Sequence, residues 1–170
     1  MKRLPRLILL GAVIVSCVSC DQVTKAVAGA ELADGLPRSF LGDVLRLTYA
    51  ENPGGFLSLG ADLSPTLRSW IFGGFTGVIV LALGAFAIRE PSLDRLRVTG
   101  LGLVIAGGLG NLIDRARLGA VRDFVVLGIG PLRTGVFNGA DLAITCGAVA
   151  LFAASAWRRR DKPSPGLHAR

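Results

Sequence analysis

The chain has 170 residues, 51% of them hydrophobic and 18% charged, with a formal net charge of +7. A soluble domain usually carries about 25% charged residues, and a mean hydropathy of +0.56 with charges gathered between long uncharged runs argues against a water-soluble fold. The basic balance is not a nucleic-acid signature, because no basic patch is interleaved with aromatic residues.

Taken in chain order, four apolar runs stand out. Leu7–Cys20 carries no charge, and its helical pattern continues to about Ala28. The basic start (Lys2, Arg3, Arg6) and Ile14-Val15-Ser16-Cys17 also resemble a cleaved signal sequence. Polar residues continuing at helical spacing, and three further apolar runs, favour a retained span instead. Ser69–Ile88 gives 20 uncharged residues, and Val98–Ile113 and Leu142–Trp157 give 16 each. A membrane span needs about 17–25 mostly apolar residues. The predicted spans are therefore about 7–28, 69–88, 97–113 and 139–157, the shorter runs being completed by polar residues at their ends.

Orientation follows from the basic flanks. With the N-terminus cytoplasmic, the inner segments hold eleven basic and three acidic residues, a net +8, and the remaining eight basic and nine acidic residues give −1. Both termini are predicted inside, with a short inner loop at Arg89–Arg97. Two connections, about Gly29–Thr66 and Asp114–Phe137, then face outward. In the first, Val44-Leu45-Arg46-Leu47-Thr48-Tyr49 has strand character between Gly and Pro punctuation. The expectation is one all-α membrane domain over residues 1–160, four transmembrane helices with a small β-rich lobe at about 29–66 on the outer surface. A disordered cytoplasmic tail is expected at 161–170.

Small residues recur at four-residue spacing: Gly73 and Gly77, then Gly102, Ala106 and Gly110, then Ala143 and Gly147. That spacing lets helix backbones approach closely. Cys17-Val18-Ser19-Cys20 lacks a second ligand pair and His168 lies in the tail, so no metal site or cofactor is expected. One tail histidine also leaves no Ser/His or Cys/His pairing for nucleophilic catalysis. Asp21 and Lys25 share a helix face and read first as a salt bridge inside the bundle. Asn111, Asp114 and Arg115 crowd the end of the third span. Asp123 follows, and Asn138 and Asp141 open the fourth span, where helix capping alone would account for them.

Together these residues resemble the lipoprotein signal peptidase (signal peptidase II) family, the bacterial intramembrane aspartyl proteases, over roughly Leu7 to Trp157. Asp21-Gln22-Val23-Thr24-Lys25, Asn52-Pro53-Gly54, Gly110-Asn111-Leu112-Ile113-Asp114-Arg115, Val121-Arg122-Asp123-Phe124 and Phe137-Asn138-Gly139-Ala140-Asp141 match its motifs in order. The resemblance implies Asp123 and Asp141 as the catalytic pair. It implies supporting or substrate-contacting roles for Asp21, Lys25, Asn52, Gly54, Asn111, Arg115 and Asn138, with Asp114 paired to Arg115. It also implies a diacylglyceryl-modified prolipoprotein substrate cut before the lipidated cysteine, contact with membrane lipids, block by globomycin-type inhibitors, and a place in the bacterial inner membrane with the site facing the periplasm.

The chain departs from the pattern twice. Gly55-Phe56-Leu57-Ser58 replaces a common Ala-Ala-Phe-Ser, which bears on the substrate-facing surface loop, and Arg122 replaces an apolar residue, which is expected to set a charge beside Asp123 and alter its pKa. Two other readings compete. A small transporter would spread ionisable residues through mid-bilayer, whereas here they gather at one boundary. An assembly protein would use the same residues only as caps.

Overall fold

The computed structural model describes residues 2–32, 34–54, 60 and 62–160. The predicted tail and the Gly55–Ser58 departure lie outside the described residues. Among the described residues, four helices are long and apolar enough to cross a membrane. Helix α1 spans Arg3–Glu31, α2 Pro65–Arg89, α3 Arg95–Leu118 and α4 Gly139–Arg160. Each contains its predicted span. The first three run several residues further, because charged and polar residues at their ends keep helical geometry beyond the apolar stretch. Within α2, residues Ser69–Phe75 are π-helical before regular α-helix resumes at Thr76–Arg89.

Helix α3 is the centre of the bundle. Its glycines admit a different neighbour on each side. A Cβ at Gly102 would lie 2.9 Å from Val13 of α1, one at Gly108 2.6 Å from Val80 of α2, and one at Gly100 3.1 Å from the carbonyl of Gly147 in α4. Backbones can approach this closely only where side chains are absent. Around these contacts Leu10, Val80, Val98, Leu101 and Ile105 form the buried apolar core. The pair Gly73 and Gly77 does not share this role. Among the described residues, nothing lies within 4 Å of a Cβ at Gly73, and Gly77 would meet only Leu112 at 3.8 Å.

The ends of the helices are closed by specific groups. Arg6 donates to the carbonyls of Ile88 and Glu90 at 2.9 and 2.5 Å, pairing acceptors that the end of α2 leaves over. Asp94 caps α3 by accepting from the Arg97 amide at 2.9 Å. At the other end Gly119 takes the left-handed conformation, φ 73°, that ends a helix.

The lobe is a four-stranded antiparallel sheet ordered β1-β2-β3-β4: Arg38–Phe40, Leu45–Asn52, Val121–Ile129 and Leu132–Arg133. The fold is thus mostly helical with a sheet, and the lobe is not confined to residues 29–66. Helix α1 occupies the beginning of that interval, and half the strands come from the connection after α3. The β-branched and apolar run at Val121–Leu127 suits a strand, and its partner β2 lies about 70 residues earlier in the chain. A bulge between Leu47 and Ala50 interrupts the pairing just before Ala50 meets Asp123; such bulges re-aim side chains.

Candidate active site

Two carboxylates from different elements face one cavity. Asp123 sits near the start of β3, and Asp141 in the first turn of α4. Both line a space of about 460 Å³ together with Asn52, Phe72, Asn111 and Arg115. Local sequence explains how they meet. Phe137 bridges Val125 of β3 through backbone bonds of 2.9 Å, so the next residue, Asn138, lies beside Asp123. Asn138 then caps α4. Its Oδ1 accepts from the Asp141 amide at 3.0 Å, and Asp141 Oδ2 accepts from the Asn138 amide at 3.2 Å. This reciprocal pair is a capping box with Asp in place of Glu. The capping expectation for these two residues holds, and the cap is also what turns Asp141 toward the cavity.

Each carboxylate is held by amide donors. Asp123 accepts from Asn138 Nδ2 at 2.6 Å and from Asn52 Nδ2 at 3.1 Å. Asp141 accepts from Asn111 Nδ2 at 2.9 Å. Asn111 is oriented in turn by Lys25, whose ammonium donates to its Oδ1 at 3.0 Å. Asp123 is only 3% exposed. Burial pushes its carboxyl up to about 6, and the charge on Asp141 adds to the rise against the bonds from Asn52 and Asn138.

Behind the cavity lies a buried charge cluster. Lys25 pairs with Asp21 at 2.9 Å and Asp114 at 3.2 Å, as the expected intrabundle salt bridge requires. Asp21 also accepts from the Ala140 amide at 2.8 Å, capping a second orphan donor of α4. Two expectations are corrected here. Asp114 does not pair with Arg115: its oxygens face Lys25 and Arg122, the latter at 2.6 Å. Arg115 turns to the other side of α3, donating to the Gly54 carbonyl at 2.9 Å and lying over the Phe72 ring. Nor does Arg122 place its charge against Asp123. Neighbouring strand residues point to opposite faces, so Arg122 reaches Asp114 and Gln22 instead.

All ten residues singled out from the sequence fall in this region, but in two layers. Asn52, Asn111, Arg115, Asp123 and Asp141 line the cavity. Asn138 supports both carboxylates, Gly54 receives Arg115, and Asp21, Lys25 and Asp114 form the cluster behind. Sequence reasoning assigned no part to Gln22, which bonds Asp21, Asp114 and the Gly110 carbonyl. Its place between Asp21 and Lys25 in the motif was the available signal. The cavity residues Phe72, Thr76, Ile144 and Thr145 are ordinary span residues in sequence, and Val136 is an ordinary residue of the connection before α4, so none gave a signal.

The sequence model of the family described as "Signal peptidase (SPase) II" matches residues 13–157. The chain belongs to the signal peptidase II family. It is 34% identical over 148 residues to a lipoprotein signal peptidase of Desulforapulum autotrophicum, covering 87% of this chain and 90% of that one. To the lipoprotein signal peptidase of Sphingopyxis alaskensis it is 38% identical over 135 residues, 78% of this chain and 76% of the other. Among solved structures, one described as a bacterial membrane enzyme superposes with a TM-score of 0.80 at 27% identity, covering 93% of each chain. Another so described gives a TM-score of 0.73 at 28% identity, covering 86% of this chain and 91% of that one. This member of the family is therefore a multi-pass membrane peptidase.

The raised Asp123 carboxyl has a consequence for stability. In the unfolded chain an aspartate loses its proton near about 3.9, whereas here burial holds the proton up to about 6. The contribution to stability is therefore full below about 3.9 and is lost as pH rises through about 6. Asparagine does not titrate. Relative to the parent, Asp123→Asn should gain more thermal stability at pH about 7.5 than at pH about 4, because only the parent loses stability between them. Melting curves in detergent at both values check this, and a pH-independent difference would contradict it.

Proposed function

We propose that this chain is an aspartyl endopeptidase that removes the signal peptide from diacylglyceryl-modified prolipoproteins, cutting before the lipidated cysteine. The observation that carries the reading is the pair of carboxylates facing one cavity in different environments, Asp123 buried and Asp141 at a helix N-terminus. Two close carboxylates share a proton more cheaply than both ionise. Asp141, facing the positive end of α4, serves as base and takes a proton from water as it attacks the scissile carbonyl. In the reactive form Asp123 carries the proton that the pair shares and donates it toward the developing oxyanion, and a proton then passes to the leaving amine. Asn52, Asn111 and Asn138 fix the carboxylates, and Arg115 with Gly54 shapes the rim where substrate backbone or head-group oxygens bind.

In this reading residues 1–160 form a single membrane domain, with both termini in the cytoplasm and the sheet and cavity on the periplasmic side of the inner membrane. The support is the +8 inside against −1 outside, with the cavity at the C-terminal end of α3 and the N-terminal end of α4. Purified protein should cleave a lipidated precursor and leave its unlipidated counterpart intact, with globomycin blocking the reaction; equal cleavage of both would refute the substrate assignment. Reporter fusions after Arg89 or Arg160 should score cytoplasmic, and those after Asp34 or Gly119 external. A cytoplasmic score after Gly119 would overturn the orientation and the periplasmic site together.

A further inference from the structure

The sheet runs away from the cavity toward an apolar end. Near the cavity Asn52 pairs with Val121, and at the far end Leu45 pairs with Leu127. Seven residue steps along β2 at about 3.3 Å each separate the two ends by roughly 23 Å. Both hairpin turns, residues 41–44 and 130–131, lie at the far end, where the Gly128 amide donates to the Val44 carbonyl at 2.9 Å. Leu41 is 77% exposed there, Ile129 77% and Leu132 82%. Leu41 is held at φ 53°, a conformation that disfavours a branched side chain. Asp43 accepts from Ser39 and Arg46 at 2.5 Å each and also binds Arg133, joining the two hairpins.

This apolar end continues the surface of the membrane spans. A second, mostly apolar groove of about 530 Å³ lies between the sheet and the helices, lined by Phe124, Val125 and Leu127 above and by Cys17, Leu142 and Cys146 of α1 and α4 below. Leu142, like Val149 and Phe152 further along α4, is exposed on the outside of the bundle, where the surroundings are acyl chains. The apolar surface therefore passes from the spans, under β3, to within two residues of Ile129. Beside the tip, Arg46 and Arg133 against Asp43 leave one net positive charge, which suits anionic lipid phosphates.

We infer that the far end of the sheet is a membrane-docking edge: Leu41, Ile129 and Leu132 enter the interfacial layer of a phospholipid bilayer, with Arg46 and Arg133 at its phosphates. The sheet then lies flat over the lipid flanking α1 and α4. This rests on the transmembrane reading of the helices and not on the catalytic one.

The test uses the whole protein in phosphatidylcholine–phosphatidylglycerol vesicles. Leu132→Trp is made with Trp70→Phe and Trp157→Phe, which replace both native tryptophans. Acyl-brominated lipids should quench the introduced tryptophan at least about twofold, and aqueous iodide should quench it little. Adding Leu41→Gln and Ile129→Gln should reverse both results. An introduced tryptophan open to iodide and unaffected by brominated lipid overturns the inference. Shielding from both quenchers also overturns it, since a second copy or another protein then covers the tip. If Leu132→Trp fails to accumulate, Leu41→Trp carries the same measurement. Cleavage of a lipidated precursor by the same samples is read separately, so a failed peptidase reading and a failed docking edge are distinguishable.

Discussion

Asp123→Asn and Asp141→Asn should each reduce cleavage below detection while the protein still inserts and accumulates. The amide keeps the shape of the side chain but can neither act as base nor share the proton. A single general acid or base contributes about 10²–10⁴-fold, and a pair that works as one unit loses nearly everything with either member. The double variant should therefore be no worse than either single one. Asp114→Asn should behave differently. Asp114 is fully buried between Lys25 and Arg122 and does not line the cavity. Its change should lower accumulation or melting temperature and spare part of the activity per folded molecule. Near-normal cleavage by Asp123→Asn together with a dead but folded Asp114→Asn would move the pair to Asp114 and Asp141.

The parts of this fold that were legible in the sequence are those governed by local physics. Twenty uncharged residues at Ser69–Ile88 can be read without knowing their neighbours, and so can the four-residue step from Asp21 to Lys25. The sheet was half legible. Val44–Tyr49 announces itself by alternation and turn residues, but β3 is recognised as its partner only when α3 carries the chain back across the bundle. The side on which Arg115 and Arg122 act was not legible either. Spacing places Arg115 next to Asp114 in sequence, yet consecutive helix residues do not face each other. Asp114 meets charges from α1 and β3, while Arg115 meets the carbonyl of Gly54. The partner of a buried charge is set by tertiary packing, which sequence spacing does not contain. Phe72 was invisible for a related reason: the π-helical stretch of α2 shifts the register in which its residues face the cavity.

Lys25→Met should damage both stability and cleavage, through two separable effects. Lys25 is 0% exposed, and its ammonium meets Asp21, Asp114 and Asn111 Oδ1 at 2.9, 3.2 and 3.0 Å. Removing one partner of a buried ion pair typically costs about 3–5 kcal/mol, because the remaining charge is left uncompensated. That is a large share of a net stability of about 5–15 kcal/mol. The second effect is orientational. With Lys25 on its oxygen, Asn111 can only present Nδ2 to Asp141, at 2.9 Å. Without the ammonium only the bond from Asn138 Nδ2, at 3.2 Å, still holds that oxygen, and the amide turns more readily to put its oxygen toward Asp141 and withdraw the donor from the carboxylate. Adding Asp21→Asn to Lys25→Met removes one stranded charge and should recover part of the melting temperature, while activity per folded molecule stays low. Recovery of activity in step with stability would show that Lys25 only balances charge, and that the orientation of Asn111 does not depend on it.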